Sequence, residues 1–226
     1  MKIGIVSQSY YPRYGGVTEH VHHTALELRR RGHDVTIITS NFREGEPGLP
    51  GVERIGYNLL VPYNRAFVDF TVGWDLRRDL KAIFRRRDFD LLHVHCPTAP
   101  SMPVLAIESA ICPVVGTFHT TSGRSLFVEL FRRRLTRCVE RLSGRIAVSN
   151  TARQTAELYF PGHYEIIPNG VDVGRFHGAV EPFQEWRDPE RVNLLFVGRL
   201  DQRKGVGLLI AAMPEILERT RNRARL

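Results

Sequence analysis

Cysteine is scarce in this 226-residue chain: Cys96, Cys112 and Cys138 are odd in number and widely spaced. That excludes a disulfide framework and offers no zinc-finger spacing. Long apolar runs are missing too. The opening Met1-Lys2-Ile3-Gly4-Ile5-Val6 is too short for the apolar core of a secretion signal. No run reaches the roughly 20 apolar residues that span a bilayer. The cytoplasm is therefore the expected location. A Gly-x-Ser-x-Gly elbow for a serine nucleophile is absent. So is the Gly-x-x-x-x-Gly-Lys-Ser/Thr phosphate loop. No Gly-x-Gly-x-x-Gly follows the first apolar run, which argues against a dinucleotide enzyme.

What is present suits a folded protein, with 42% apolar and 25% charged residues. The charge is uneven, +8 from 32 basic and 24 acidic side chains. Such an excess favours anionic partners: a phosphate, a nucleic acid or an acidic membrane surface.

Residues 1–7 read as a buried strand, and residues 16–31 as a helix with Val17, Val21, Ala25 and Leu28 on one face. Gly32 stops that helix, and residues 33–39 form a second strand. Further strands are expected at residues 52–61, 90–95, 113–118, 145–148 and 164–167. Helices are expected at 75–87, 103–111, 125–142 and 151–160. Apolar strands alternating with amphipathic helices imply an α/β fold, a parallel sheet covered on both faces. Residues 173–190 lack periodicity and carry Gly174, Gly178, Pro182 and Pro189, as a linker between domains does. A fresh apolar strand follows at 192–197, then a loop, then a helix from Val206 to about Arg219. One strand and one helix this apolar cannot bury each other. The expectation is a truncated second domain, with Ala224-Arg225-Leu226 opening its next strand.

In such sheets ligands bind beyond the C-terminal ends of the strands. Gly15 and Gly16 end the first such loop, where glycine permits positive φ and close approach of a ligand. The helix that follows aims its free N–H groups at that loop. His119 lies on the same rim, ahead of Thr120, Thr121 and Ser122. A second candidate is Gly198-Arg199-Leu200-Asp201-Gln202-Arg203-Lys204-Gly205, where Arg199 and Lys204 suit a diphosphate. His93 and His95 alternate onto one strand face beside Cys96, but no fourth metal ligand is evident, so they read as structural and no metal site is assigned. His20, His22 and His23 read as helix surface. Trp74 with Arg77, Arg78, Lys81 and Arg85 could rest on an anionic bilayer or serve as an ordinary solvated face.

Several stretches, in this order, resemble the motif set of glycosyltransferase family 4, the retaining GT-B enzymes. They are Tyr14-Gly15-Gly16-Val17, Gly32-His33-Asp34-Val35, Asp90-Leu91-Leu92-His93-Val94-His95 and Thr117-Phe118-His119-Thr120. Ile167-Pro168-Asn169-Gly170-Val171-Asp172 and Phe196-Val197-Gly198-Arg199 with Lys204-Gly205 complete the set. Val61-Pro62-Tyr63-Asn64 and the basic helix before Asp88-Phe89-Asp90 are similar to bacterial phosphatidylinositol mannosyltransferases within that family.

The resemblance implies a GT-B organisation. Residues 1–172 would form a complete Rossmann-like acceptor domain, 173–190 a linker, and 191–226 the first strand, loop and helix of a nucleotide-sugar domain. It implies transfer of a hexosyl group, mannosyl among them, from GDP-mannose or a UDP-sugar to a lipid or other hydroxyl acceptor. Gly15 and Gly16 would approach the donor diphosphate, with Arg199 and Lys204 neutralising it. His119 would contact the transferred sugar. Tyr10, Tyr63, Asn64 and Thr120 would shape the acceptor side. No metal or other cofactor is implied, and no nucleic acid partner. The enzyme would sit in the cytoplasm, peripheral to the inner membrane face. The resemblance places the family's Glu-x7-Glu donor motif downstream of Leu226, so by itself the chain would be an inactive fragment. The alternative is a non-catalytic basic module for phosphate or nucleic acid, which predicts salt-dependent nucleic-acid binding.

Overall fold

The computed structural model describes the chain except residues 43–49, 64–65, 120–124, 177, 179–180, 182, 199 and 201 and the side chains of Tyr63, Ala66 and Arg203. Two compact units result, one of Met1–Leu60 with Asp69–Gly170 and one of Val61–Val68 with Val171–Leu226.

The first unit is built on strand and helix in alternation. In chain order come β1 (Lys2–Val6), α1 (Gly16–Arg30), β2 (Asp34–Asn41), β3 (Val52–Tyr63) and β4 (Ala66–Val72). Then follow α2 (Leu76–Arg87), β5 (Leu91–His95), α3 (Met102–Ser109), β6 (Val114–Phe118), α4 (Leu126–Leu130) and α5 (Arg132–Glu140). β7 (Gly144–Ala147), α6 (Asn150–Glu157) and β8 (Glu165–Ile166) complete the series. The sheet order is β4-β3-β2-β1-β5-β6-β7-β8. β1 pairs in parallel with β2 on one side and with β5 on the other, so the winding reverses between β1 and β5.

Alternation along β1 sends Ile3 and Ile5 to one face, where Val21 and Ala25 of α1 cover them. Val6 joins Leu92, Val94, Leu80, Phe84 and Ile107 on the opposite face, under α2 and α3. Gly4 lies on that second face because a Cβ there would come within 2.6 Å of Leu92 Cδ2. Burial of apolar side chains on both faces stabilises the unit by about 25 cal/mol per Å² of apolar surface removed from water. α2 starts where the Asp75 carboxylate accepts the Arg78 backbone N–H at 3.0 Å, an N-cap that satisfies an otherwise orphaned donor.

Three elements differ from the sequence-based expectation. The helix expected over 125–142 is two helices, interrupted at Phe131 (φ −100°, ψ 12°). β4 was not expected at all. Its Phe67 and Val68 are exposed while Thr71 is buried, which inverts the usual apolar-in pattern. The strand expected over 192–197 is reduced to β9 (Val192–Asn193).

In the second unit β9 is followed by α7 (Val206–Arg219) and β10 (Ala224–Arg225). Ala224-Arg225 does form a strand, parallel to β9, with Ala224 opposite Val192 and Arg225 opposite Asn193. α7 opens at Gly205, whose left-handed φ of 76° suits glycine. The Arg225 guanidinium lies 4.5 Å from the Trp186 ring centroid.

Candidate functional site

In open parallel sheets ligands bind beyond the strands' C-terminal ends where the winding reverses, here between β1 and β5. Side chains collect there by parity. His93 pairs with Ile5 across β1, so it shares the α1-facing side of the sheet with Ile3 and Ile5. His95 falls on the same side and pairs with Thr117 of β6. His119, two residues further on, continues the column at the strand end. His20 comes from α1, one helical turn after Val17 and next to Val21.

Four imidazoles therefore converge. His93 and His95 have ring centroids 4.3 Å apart. His95 Nδ1 and His119 Nε2 are 2.9 Å apart, a hydrogen bond. His20 sits 5.5 Å from His95 and 5.3 Å from His119, centroid to centroid. His93 Nε2 bonds the Thr117 hydroxyl at 2.7 Å. His95 Nε2 is buried with no partner among the described residues. A buried lone pair without a partner is better tolerated than a buried N–H. The favoured tautomer thus has His95 Nδ1–H donating to His119 Nε2, which leaves the His119 proton on Nδ1.

Burial sets the charge of this cluster. It lowers His93 and His119 to about 4, with the neighbouring imidazoles adding to the effect. It lowers His95 well below the ordinary value and lowers His20 as well. At neutral pH all of them are uncharged, so His119 offers a hydrogen bond and not a positive charge. Cys96 follows β5 and is half-buried, and desolvation pushes its thiol up to about 11, so it is not a thiolate nucleophile. Cys96 (φ 53°) and Ser101 (φ 77°) both hold left-handed backbone in the loop after β5, an arrangement that costs energy in non-glycine residues.

The loop after β1 is held firmly. The Asp69 carboxylate accepts from Asn58 Nδ2 at 3.0 Å and from the Ser9 hydroxyl, and pairs with Arg13 Nε at 3.1 Å. Thr18 Oγ1 donates to the Arg13 carbonyl at 2.8 Å. Gly15 has extended backbone (φ 173°, ψ 163°), so the expected positive φ is not what glycine supplies here. A Cβ on Gly15 or Gly16 would meet nothing within 4 Å. The space above these glycines is open, as close approach of a ligand requires.

Other expected site residues fall out differently. Tyr10 is 1% exposed and its hydroxyl is 2.8 Å from His22 Nδ1, so it packs under α1 and does not line the rim. His20 is not helix surface, since it turns toward the sheet. Tyr63 ends β3 with its side chain outside the described residues, and Asn64, Thr120 and Arg199 lie outside them altogether. Lys204 is exposed at the end of a short 3-10 turn in the second unit. Trp74 is fully exposed; Arg78, Lys81 and Arg85 are exposed too, and with Asp75, Arg77 and Ala82 these three border a depression of about 340 Å³. Arg77 is ion-paired with Glu108, which also accepts from Arg134 at 2.7 Å. Asp69 and His20 were missed as organising residues. His20 left one signal, its place in the Val17-Val21 stripe.

A parallel sheet with this order and a ligand rim at its reversal point defines a Rossmann-like domain of the GT-B glycosyltransferase type. Solved structures share the fold. Sucrose-phosphate synthase from Thermosynechococcus elongatus matches with a TM-score of 0.65 at 18% identity, over 95% of this chain and 60% of that one. The catalytic domain of starch synthase IV from Arabidopsis thaliana, bound to ADP and acarbose, matches at 0.56 and 13% identity, over 96% of this chain and 66% of that one.

The chain belongs to glycosyltransferase family 4, whose sequence model matches residues 14–175. It is 36% identical to the phosphatidyl-myo-inositol mannosyltransferase of Mycolicibacterium smegmatis, over 97% of this chain. The chain spans 56% of that relative's length.

Proposed function

We propose that the protein transfers a hexosyl group, with mannosyl as first choice, from a nucleotide-sugar to a lipid or glycan hydroxyl with retention of configuration. GDP-mannose is the preferred donor and a UDP-sugar the alternative. Family membership carries this reading, and the 36% identity to a phosphatidyl-myo-inositol mannosyltransferase points to a phosphatidylinositol-type acceptor. In this reading residues 1–172 are the acceptor domain, 173–190 the linker and 191–226 the first part of the donor domain.

The residues divide the work by chemistry. The open space over Gly15 and Gly16 admits the donor diphosphate against the N-terminus of α1. Arg199 and Lys204 neutralise the departing nucleoside diphosphate, the main electrostatic contribution of the protein. His119, neutral and hydrogen-bonded by His95, holds a hydroxyl of the transferred sugar. Tyr63, Asn64 and Thr120 contact the acceptor. Trp74, Arg78, Lys81 and Arg85 rest on an anionic inner-membrane surface, with Arg77 shared between the lipid and Glu108. Among the described residues no helix is long and apolar enough to cross a membrane, which leaves a surface mode of attachment.

The test is transfer of radiolabelled mannose from GDP-mannose to phosphatidylinositol in vesicles by the full-length gene product, with UDP-glucose as competing donor. His119→Ala should lower turnover about 100-fold or more, in the range seen when a positioned transition-state hydrogen bond is removed. Transfer from neither donor, or unchanged turnover in His119→Ala, overturns the reading.

A further inference from the structure

We propose that His20, His95 and His119 form a binding site for a transition-metal ion of the Zn²⁺ class, entered from the rim of the sheet. One ring nitrogen from each residue lies within 4.8 Å of the other two. The three ring centroids make a nearly equilateral triangle, with sides of 5.2, 5.3 and 5.5 Å. A tetrahedral ion about 2.0–2.1 Å from each ligating nitrogen would place the centroids about 5.2 Å apart. The rings are thus spaced as a three-histidine site needs them. The nitrogens turn inward, from at most 4.8 Å to the roughly 3.3 Å edge of a tetrahedron, and His119 gives up its hydrogen bond from His95 Nδ1 so that its Nε2 lone pair is free to ligate. His20 and His119 are partly exposed and have room to turn.

A separate observation points to a ligand. His95 is 1% exposed and its Nε2 has no partner among the described residues, a state that native interiors rarely tolerate. Coordination of His95 gives its ring a partner strong enough to offset that loss. The ring is backed by His93, tilted against it with centroids 4.3 Å apart, and His93 is anchored to Thr117. Such support behind a ligating histidine orients the lone pair. The donor set is three uncharged imidazoles from α1, β5 and the end of β6, with no carboxylate. It selects Zn²⁺, Cu²⁺ or Ni²⁺ over Mg²⁺ and Ca²⁺, which prefer oxygen. The fourth position is left to water or to a ligand atom. The proposal is independent of whether His119 touches a sugar.

The experiment is calorimetric titration of the metal-stripped 226-residue chain with ZnCl₂, paired with visible spectroscopy on Co²⁺ addition. One Zn²⁺ should bind per chain, Mg²⁺ should not compete, and Co²⁺ should give the intense bands of a tetrahedral complex. His20→Ala and His119→Ala should each weaken Zn²⁺ binding about tenfold or more. His163→Ala, on a side chain that is 84% exposed, should leave it unchanged and so removes surface binding as an explanation. Far-UV circular dichroism of both cluster variants confirms that they fold, and at least one must fold for the comparison to count. Zn²⁺ affinity unmoved in a folded cluster variant, or Co²⁺ that keeps the spectrum of its octahedral aqua ion, overturns the proposal.

Discussion

Each compact unit opens a strand-helix-strand element on the same plan, β1-α1-β2 in the first and β9-α7-β10 in the second. Both make parallel pairs, and both helices start at a glycine. Their burial differs sharply. β1 has a strand on each side, and α1 buries Thr18, Val21 and Ala25. β9 pairs with β10 alone, and none of the described residues of α7 is buried. Leu195 and Val197, in what the sequence marks as an apolar strand, are 87% and 83% exposed. Local sequence is enough to start the unit, whereas neighbours on both faces are needed to extend and bury it. The extended first unit also shields its histidines from water and keeps them neutral.

The largest test of this contrast is a core cavity in the first unit. Leu92 is 0% exposed, flanked by β1 and β6. Leu92→Ala should cost about 2–5 kcal/mol, the lost transfer energy plus the cavity left behind, read as a lower urea midpoint. A shift below about 1 kcal/mol would mean that this core is loosely packed and that the contrast is overstated.

Acid provides the next. His93 and His119 have folded values near 4, below the ordinary 6.5 that they regain on unfolding. Below pH 6.5 the unfolded chain takes up protons that the folded chain refuses. The share of stability set by these two histidines should therefore fall as pH drops from about 6.5 to 4 and change no further below that. Each such shift amounts to at most about 3 kcal/mol. Glu53 and Glu108 are held below the ordinary carboxylate value and act in a different window, losing their contribution as pH falls from 4.5. Urea unfolding at stepped pH separates the two windows. A flat profile between pH 7 and 5 would show the imidazoles to be hydrated and the rim open.

Much of this was legible beforehand, and the exceptions share a cause. Strands such as β1, β5 and β6 are buried on both faces and announce themselves as apolar runs. The Gly15-Gly16 turn and His119 stood out because the alternation of strand and helix placed them at strand ends. β4 was hidden because its apolar Phe67 and Val68 are exposed while the polar side chains of Asp69 and Thr71 are buried. The break at Phe131 could not be seen either, since periodicity runs straight through it. His20 reads as helix surface beside His22 and His23, its place in the Val17-Val21 stripe being its one local signal. Only the sheet parity that places His95 and His119 opposite it reveals its role. Tyr10 was misread in the reverse sense: an aromatic in a ligand loop reads as a lining residue until its hydroxyl is seen to meet His22 under α1. Pairings across 12 to 99 residues, Tyr10 with His22 and His20 with His119, carry no local signal.

The smallest expected effect is the counterpart of the first. Leu208 is 79% exposed on α7. Truncating it to alanine removes little surface that folding had taken from water, and alanine is at least as good a helix former. Leu208→Ala should thus change stability by no more than about 0.5 kcal/mol, where the same truncation at Leu92 costs several times as much. Hydrogen exchange should agree, with α7 amides exchanging faster than those of α1 because solvent reaches α7 without unfolding of a core. The two measurements fail together if the contrast is wrong. A Leu208→Ala loss of about 2 kcal/mol, with α7 protected as well as α1, requires a cover over the Leu208 face in solution. The second strand-helix-strand unit would then be as fully packed as the first, and the brevity of β9 would need a cause other than missing neighbours.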